Sequence, residues 1–314
     1  MSEDGGKAGN RIGDGDFSRP RRFGGAKTQS RIEAVQFMSL SLIILAVCIA
    51  GPMLYSFVAS FFSANLRNPG LGEFVGLDNY VNSFKSPYFR ASMGVTALFT
   101  VLVVVLEFIV GFAIALLLNR KVRGKNIFFS IIIIPMLISP IAVGLTWRLL
   151  LHPKLGIVNY ALGLLGLPAR AWLGSAKYAL GTVIFVDIWQ QVPYMVLVLM
   201  AGLVSLPSEP YEAASIDGAS RWQTFFRLTL PMMLPNILVA LLLRTINALK
   251  TYDLIYVLTK GGPGTSTEMI SYHIYKRAFT YLDIGSASAM SYLLMAIVMP
   301  LSYVFFKLSK NKMN

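Results

Sequence analysis

Two stretches of the chain carry polar side chains at spacings that place them on one face of a helix. The first follows the i, i+3, i+4, i+7 spacing and consists of Asp187, Gln190, Gln191 and Tyr194. The second repeats that spacing with Arg244, Asn247, Ala248 and Thr251. Amide, phenol and hydroxyl groups hydrogen-bond hydroxylated solutes, and a guanidinium matches phosphate, sulfonate or carboxylate groups. The polar members of both stretches are therefore candidate contacts for a polar solute in a substrate cavity.

Both stretches lie inside long apolar segments, where a polar stripe facing lipid would be costly. Two interpretations stay open: the polar faces are walls of one wet cavity, or they bond to each other and close a tight bundle. Arg244 accordingly either recognises an anionic group or pairs with Asp187. Glu107, an ionisable residue among aliphatic ones, either bonds a neighbouring helix or acts in transport. Counted from Asn236, the Arg244–Thr251 face lies roughly 12–22 Å deep, near the midplane where transporters place substrate.

A third polar stretch, residues 212–218, is a short island between two apolar segments, with the sequence Glu-Ala-Ala-Ser-Ile-Asp-Gly. It predicts a short helix with Ser208 as its N-cap, acidic residues near its positive end and Gly218 at its C-terminal end. From local physics alone, the island is either a plain connector or a surface that another protein approaches closely over Ala213 and Ala214.

No catalytic or metal-ligating set accompanies these polar residues. The sequence contains no His-Glu-x-x-His, Gly-x-Ser-x-Gly or Walker A lysine motif. Its 2 histidines, His152 and His273, have no second metal ligand at helical spacing, and the single Cys48 excludes an intramolecular disulfide. We therefore expect no catalytic residue, no metal and no cofactor bound by this chain, and any ATP hydrolysis needs another subunit.

The elements that position the polar residues are long apolar runs. The chain is 55% apolar and 14% charged, and its apolar residues cluster. Runs of about 20 residues cross a hydrocarbon layer of about 30 Å, and in lipid they must be helical because the backbone satisfies its own hydrogen bonds. The pattern predicts an all-α integral membrane protein with six transmembrane helices, at Met38–Phe62, Ala91–Leu118, Ile127–Trp147, Tyr178–Val204, Asn236–Leu258 and Ile284–Phe306.

Prolines are expected to interrupt the predicted helices at several points. Pro52 predicts a kink in the first span. Pro135 and Pro140 predict a bend in the third span that frees carbonyl groups toward a cavity. A second short helix after the polar island, over residues 221–228, is expected to end because Pro231 follows it.

Basic residues set the predicted orientation of the spans. The net charge of +13 comes from 28 basic and 15 acidic residues. The basic residues concentrate in a Gly-rich, Arg-rich tail over residues 1–33, in residues 120–125 and in residues 307–312. Since positive residues collect on the cytoplasmic side, both termini are predicted to be cytoplasmic. This placement fits a membrane protein in contact with lipid, and no nucleic-acid partner is expected.

The polar island and the segments around it resemble a known family. The stretch from Glu212 to Pro231 resembles the cytoplasmic loop of ABC importer permeases, the binding-protein-dependent permeases. Its pattern is Glu-Ala-Ala, three residues, Gly, nine residues, Leu228, one residue and Leu-Pro, and the family usually has Ile in place of Leu228. Residues 252–263, Tyr-Asp-Leu-Ile-Tyr-Val-Leu-Thr and then Gly-Gly-Pro, look like the outer loop of carbohydrate-uptake permeases. Residues 76–80, Gly-Leu-Asp-Asn-Tyr, are similar to a phrase after the first helix of sugar permeases.

The resemblance covers roughly residues 34–310 and implies a type I ABC importer permease fold in the inner membrane. It divides the chain into the tail over residues 1–33, expected to be disordered, and a permease domain over residues 34–314 with a cytoplasmic coupling loop at 205–235. It implies that the coupling contacts to an ATPase are made by Glu212, Ala213, Ala214 and Gly218.

The partners that the resemblance implies are a second, related permease in a heterodimer, two ATPase subunits that bind ATP and Mg, and a soluble solute-binding protein. The implied function is import of a sugar or sugar derivative by alternating access. The alternatives are a polyol, an anionic sugar or a glycerol phosphodiester as solute. An ion-coupled secondary transporter is less favoured, because it needs no coupling loop.

Overall fold

The computed structural model describes residues 38–39, 41–68, 70–120 and 123–313, so the predicted tail over residues 1–33 lies outside the described residues. The chain divides into two units, residues 1–55 and 56–314. The described residues are mostly helical. The helices are α1 (Ser41–Ala59), α2 (Asp78–Lys85), α3 (Pro87–Leu118), α4 (Lys125–Leu137), α5 (Pro140–Leu150), α6 (Ile157–Leu164), α7 (Ala176–Val204), α8 (Glu209–Ile216), α9 (Arg221–Leu249), α10 (Asp253–Leu258), α11 (Ile270–Tyr275, continued by a π-helical turn at Lys276–Thr280) and α12 (Ile284–Met313).

Five of these helices are long and apolar enough to cross a membrane, namely α1, α3, α7, α9 and α12. The pair α4 and α5 meets the same test together but is bent by 94° at the junction. The described residues therefore contain five candidate spans, or six when the bent pair counts as one. This agrees with the predicted all-α membrane class.

The break between α4 and α5 lies at the two prolines from which a bend was predicted, and it is a full interruption rather than a kink. Pro135 lies inside α4, which ends at Leu137, and Pro140 begins α5. Between them, Ile138 has φ −83° and ψ 134°, an extended conformation. Ser139 is extended too, because the proline that follows it disfavours helical backbone there. The break leaves the Ile138 carbonyl outside any helix.

The fifth apolar segment differs from the expectation at its start. The prediction that Pro231 ends a short helix is wrong, because α9 runs without interruption from Arg221 to Leu249. A π-helical turn at Phe225–Thr229, with the Leu230 N–H donating to the Phe225 carbonyl, comes directly before Pro231. In a π-helical turn, each N–H bonds to the carbonyl five residues earlier instead of four. This turn replaces the α-helical bonding that Pro231, which has no N–H, could not continue. The segment between α7 and α9 is consequently residues 205–220, and residues 221–235 of the predicted coupling loop are helical and form the start of α9.

The fifth segment also ends earlier than predicted. α9 stops at Leu249 instead of continuing to Leu258, and Lys250 to Tyr252 form a break. The sugar-permease-like phrase then folds as α10, whose buried side chains include Leu254 and Ile255. α10 packs against α5, with Val257 close to Gly144. The phrase is therefore a short packed helix and a following turn rather than a loop throughout.

The core of the larger unit forms where α3 packs along α7 and α9 packs against both. Phe112, Met195 and Met233 are among the buried apolar side chains there. Gly111 of α3 allows the close approach, because a Cβ atom at this position would lie 2.8 Å from the Met195 Cβ and Cγ atoms. Small residues at helix crossings are the usual means by which membrane helices pack closely.

We predict that Gly111→Ala destabilises the protein, because the added methyl group overpacks the α3–α7 crossing. The expected loss in the free energy of unfolding is about 1–3 kcal/mol. The matched control is Gly94→Ala on the same helix, where a Cβ atom would meet nothing within 4 Å. Thermal unfolding of the purified variants in detergent measures the difference, and equal midpoints for the two variants would contradict the packing argument.

Candidate functional site: a buried ion triad and an exposed helix

A buried cluster of three charged residues joins three of the long helices. Arg244 of α9 donates from Nη2 to Glu107 Oε1 of α3 at 2.8 Å. Its Nε also donates to Glu107 Oε2, and its Nη2 donates to Asp187 Oδ2 of α7. The exposed fractions are 2% for Arg244, 0% for Glu107 and 4% for Asp187. We call these three residues the ion triad.

The ion triad constrains the helices that carry it. A guanidinium that binds one carboxylate through two nitrogens fixes the relative orientation of both groups. Charged side chains inside a membrane are costly unless they pair with one another, so each member depends on the other two. The triad holds two acids and one base. Because Arg244 bonds carboxylates on two other helices, the ion triad stays closed only while α3, α7 and α9 keep their relative positions.

The triad shows which contacts its members make within this chain. Asp187 and Arg244 bond to each other, as the second interpretation had it, and Glu107 bonds a neighbouring helix. The sequence offered no sign that Glu107 and Arg244 are partners, because they are 137 residues apart. In this conformation neither Asp187 nor Arg244 lies on an open cavity.

The side chain of Gln190 in α7 hydrogen-bonds the backbone at the break between α4 and α5. Its side chain is buried, and its Nε2 donates to the Ile138 carbonyl at 3.0 Å. The expectation that the prolines free a carbonyl is confirmed, but a protein amide takes up that carbonyl. One turn of α7 thus carries both a triad member and the residue that holds the interrupted segment.

The other predicted cavity residues lie nearer the surface of the chain. Gln191 and Tyr194 of α7 are partly exposed, and Asn247 of α9 is exposed. Thr251 lies in the break after α9 and is partly exposed, with its hydroxyl donating to the Asn247 carbonyl at 3.3 Å. These four residues keep polar groups available, whereas Asp187, Gln190 and Arg244 are occupied within the chain.

The polar island folds as the predicted short helix, α8, but its N-terminal cap differs from the prediction. Ser208 occupies the N-cap position with helical backbone angles, and its side chain makes no capping hydrogen bond. The acidic residues of the first turn, Glu209 and Glu212, are exposed and favourable at the positive helix end.

The C-terminal end of α8 matches the prediction. Gly218 adopts φ +71°, and the Ala219 N–H donates to the Ala214 carbonyl at 2.9 Å. The Gly218 N–H donates to the Ser215 carbonyl at 3.3 Å, which completes the two bonds of a glycine-ended helix. Ala213 is exposed and Ala214 is partly exposed, so α8 presents small side chains and backbone at the surface.

The surface around α8 combines charge, a groove and exposed apolar groups. A groove of about 430 Å³ lies between α8 and the start of α9, lined by Gly218, Gln223 and Arg227 among others. Ile216 is 87% exposed and Trp222 is 73% exposed. Large apolar side chains exposed next to polar ones are typical of a surface that binds another protein.

A polar cluster before and within α11 was not predicted from the sequence. His273 Nδ1 lies 2.7 Å from Glu268 Oε1, and Lys276 Nζ donates to Glu268 Oε2 at 2.9 Å. Burial raises the pKa of Glu268, but the hydrogen bonds from His273 and Lys276 outweigh it and hold that pKa below its usual value. Only the folded chain brings these side chains together, since their spacing matches no helical face.

The described part of the chain thus has long apolar helices joined by a buried ion triad and a short exposed helix between two of them. A family described as "Binding-protein-dependent transport system inner membrane component" matches residues 107–311. The chain belongs to this family. It is a permease subunit of an ABC importer in the inner membrane, as predicted, and permeases of this family lack an ATPase site of their own.

Individual relatives cover most of the chain. It is 39% identical over 240 residues to the trehalose/maltose transport system permease protein MalF of Thermococcus litoralis, covering 76% of this chain and 80% of that protein. It is 33% identical over 282 residues to the sulfoquinovosyl glycerol transport system permease protein SmoG of Agrobacterium fabrum, covering 90% and 92%. A crystal structure of a bacterial ABC transporter involved in import of the acidic polysaccharide alginate has a similar chain, with TM-score 0.79, 25% identity and coverage of 91% and 98%.

We predict that Arg244→Gln prevents stable folding, because it strands two buried carboxyl groups. Breaking a buried ion pair by removing one partner costs about 3–5 kcal/mol. The measurement is the fraction of monodisperse protein after extraction in mild detergent. In the matched control, Glu107→Gln and Asp187→Asn are added to Arg244→Gln, and we expect folded protein to recover in part. A single variant as abundant and heat-stable as the parent would show that the triad holds nothing together.

Proposed function

We propose that this permease passes a sugar or sugar derivative from a soluble binding protein into the cytoplasm. The observation that carries the proposal is the similarity, over three quarters of the chain, to a relative named for trehalose and maltose transport. A polyol, an anionic sugar or a glycerol phosphodiester is the alternative solute. Relatives named for sulfoquinovosyl glycerol and for sn-glycerol-3-phosphate support that alternative.

In the proposed topology, the bent pair α4 and α5 counts as one span, which makes six. Both termini and α8 then lie in the cytoplasm. The basic residues before α1, those between α3 and α4, and those at the end of α12 support this orientation, because positive residues collect on the cytoplasmic side. The break between α4 and α5 is compatible with a span because the Ile138 carbonyl that it frees accepts a hydrogen bond from Gln190 of α7.

In the proposed mechanism, α8 docks on an ATPase subunit. Glu212 supplies an exposed negative charge for basic groups of that subunit, and Ala213, Ala214 and Gly218 permit close contact. Two ATPase subunits, which hold the ATP and Mg, close and pull α8 of this chain together with its counterpart on a second, different permease. Because α7 and α9 flank α8 in the chain, this movement reorients the pair that carries Asp187 and Arg244. The result is alternating access by rigid-body motion.

The proposed roles of the cavity residues follow from their contacts. Gln191, Tyr194, Asn247 and Thr251 are the candidates for hydrogen bonds with the hydroxyl groups of the solute, because they stay partly or fully exposed on the chain. Asp187, Gln190 and Arg244 support this surface from inside. A second permease supplies the opposite wall.

We predict that Glu212→Lys leaves the protein folded but uncouples ATP hydrolysis from uptake. A charge reversal at an interface places like charges together. We therefore expect the ATP hydrolysis that the solute-loaded binding protein stimulates to fall by roughly ten-fold or more. The control is Glu209→Lys, which changes the same exposed first turn of α8 and carries the same cost at the positive helix end. Uptake and hydrolysis are measured together in proteoliposomes. Normal uptake by the Glu212 variant would remove the docking role from α8.

We predict that one solute-loaded binding protein stimulates ATP hydrolysis by the reconstituted complex. The partner subunits are those that co-purify with this chain, and the panel contains neutral disaccharides, polyols, and sulfonated and phosphorylated sugars. Stimulation by a neutral sugar alone supports the first proposal, and stimulation by an anionic compound alone supports the alternative. If no solute of the panel stimulates hydrolysis, both proposed solute classes are wrong.

A further inference from the structure

A cavity of about 500 Å³ lies at the end of α7 that is farthest from α8. It is open on one side and is lined by α5, α6, the segment that leads into α7, and the first turns of α7. Most of the side chains that line it are large and apolar. They include Trp147, Val158, Trp172, Tyr178 and Phe185.

The walls of this cavity are mostly hydrocarbon, and two of their hydrogen-bonding groups already have partners within the chain. The Thr182 hydroxyl donates to the Tyr178 carbonyl at 2.9 Å, and Trp172 Nε1 donates to Asn159 Oδ1 at 2.9 Å. A sugar in this cavity would find fewer hydrogen-bonding partners than it has hydroxyl groups, which is costly. The lining therefore fits a hydrocarbon chain better than it fits the transported solute.

Two cations stand at the edge of the cavity. The Lys177 side chain lines it, and Lys177 Nζ lies 5.6 Å from the centre of the Tyr178 ring. The Arg170 guanidinium lies 5.6 Å from the centre of the Trp172 ring and 5.4 Å from that of Tyr178. Within the part of the chain that the structure describes, neither cation has an acidic partner at ion-pair distance. The edge thus has two positive charges to offer to an anion.

We propose that this cavity is a binding site for an anionic phospholipid of the surrounding membrane. One acyl chain fills the aromatic cavity, and the phosphate of the headgroup binds Lys177 and Arg170. In the proposed topology this end of α7 is the outer one, so the attraction does not depend on the charge of the cytoplasmic leaflet. A headgroup phosphate is attracted directly to the two cations, and the cleft takes up hydrocarbon. The site is separate from the ion triad and from α8, so it does not depend on which solute the importer carries.

The test uses tryptophan emission quenched by lipids with brominated acyl chains. The chain has 4 tryptophans, and the substitutions Trp189→Phe and Trp222→Phe leave only Trp147 and Trp172, which line the cavity. The full-length chain is placed in phosphatidylcholine vesicles that contain a small fraction of either brominated phosphatidylglycerol or brominated phosphatidylcholine. We expect phosphatidylglycerol to quench at a lower mole fraction. Lys177→Gln and Arg170→Gln should each weaken this preference by about five-fold.

A cavity-filling variant separates the proposed site from general lipid contact. A Cβ atom at Gly181 would meet nothing within 4 Å, so Gly181→Leu fills the cavity without a backbone clash. Gly94→Leu is the matched control, because position 94 is equally open and lies on α3, away from the cavity. We expect Gly181→Leu to abolish the preferential quenching and Gly94→Leu to leave it unchanged.

Native mass spectrometry of the intact importer tests the same site in the assembled protein. We expect one phosphatidylglycerol fewer per complex for Gly181→Leu than for Gly94→Leu. Equal quenching by the two brominated lipids would overturn the proposal, because it would indicate general bilayer contact. If Gly181→Leu instead weakens co-purification of another subunit and leaves the lipid count unchanged, the cavity holds a protein partner and the lipid proposal is wrong.

Discussion

The buried ion triad is the interaction on which the rest of this permease depends. Three charges in the interior of a membrane protein are costly separately and tolerable only as a set, so their geometry cannot drift. Because Arg244 reaches both carboxylates from α9, the relative positions of α3, α7 and α9 follow from one residue. Close packing at Gly111 then becomes a consequence of this arrangement as well as a support for it. Ion pairing holds the three helices together at the triad, and close packing holds α3 against α7 at Gly111.

The polar residues of α7 extend this constraint to the interrupted segment. Gln190 follows Asp187 by one turn and binds the Ile138 carbonyl that the break between α4 and α5 leaves free. The same helix continues to the loop that contains α8. A displacement at α8 therefore acts on a helix that is bonded to α3, to α9 and to the α4–α5 break. Motion of these elements as one body is physically simpler than independent bending of each helix.

The sequence predicted what depends on local pattern and missed what depends on distant contacts. Hydropathy located the apolar helices, and the positive φ of Gly218 ended α8 as expected. The rule that proline ends a helix failed at Pro231, because a π-helical turn before it absorbed the irregularity. The pairing of Glu107 with Arg244 could not be predicted from the sequence, since no sequence spacing relates residues on different helices. The substrate-cavity residues stay predictions wherever a second subunit would complete the wall.

The π-helical turn at Phe225–Thr229 also fixes how far the first turn of α9 is rotated about the helix axis relative to Arg244. An α-helix advances about 100° per residue, so one residue more or fewer in this turn would rotate the first turn of α9 by about 100° relative to Arg244. The exposed helix α8 is attached to that first turn. A one-residue insertion or deletion here would therefore aim α8 in a different direction while the triad stayed closed. The length of this turn sets the angular phase between the docking surface and the membrane interior, and it cannot vary as freely as the length of an ordinary loop.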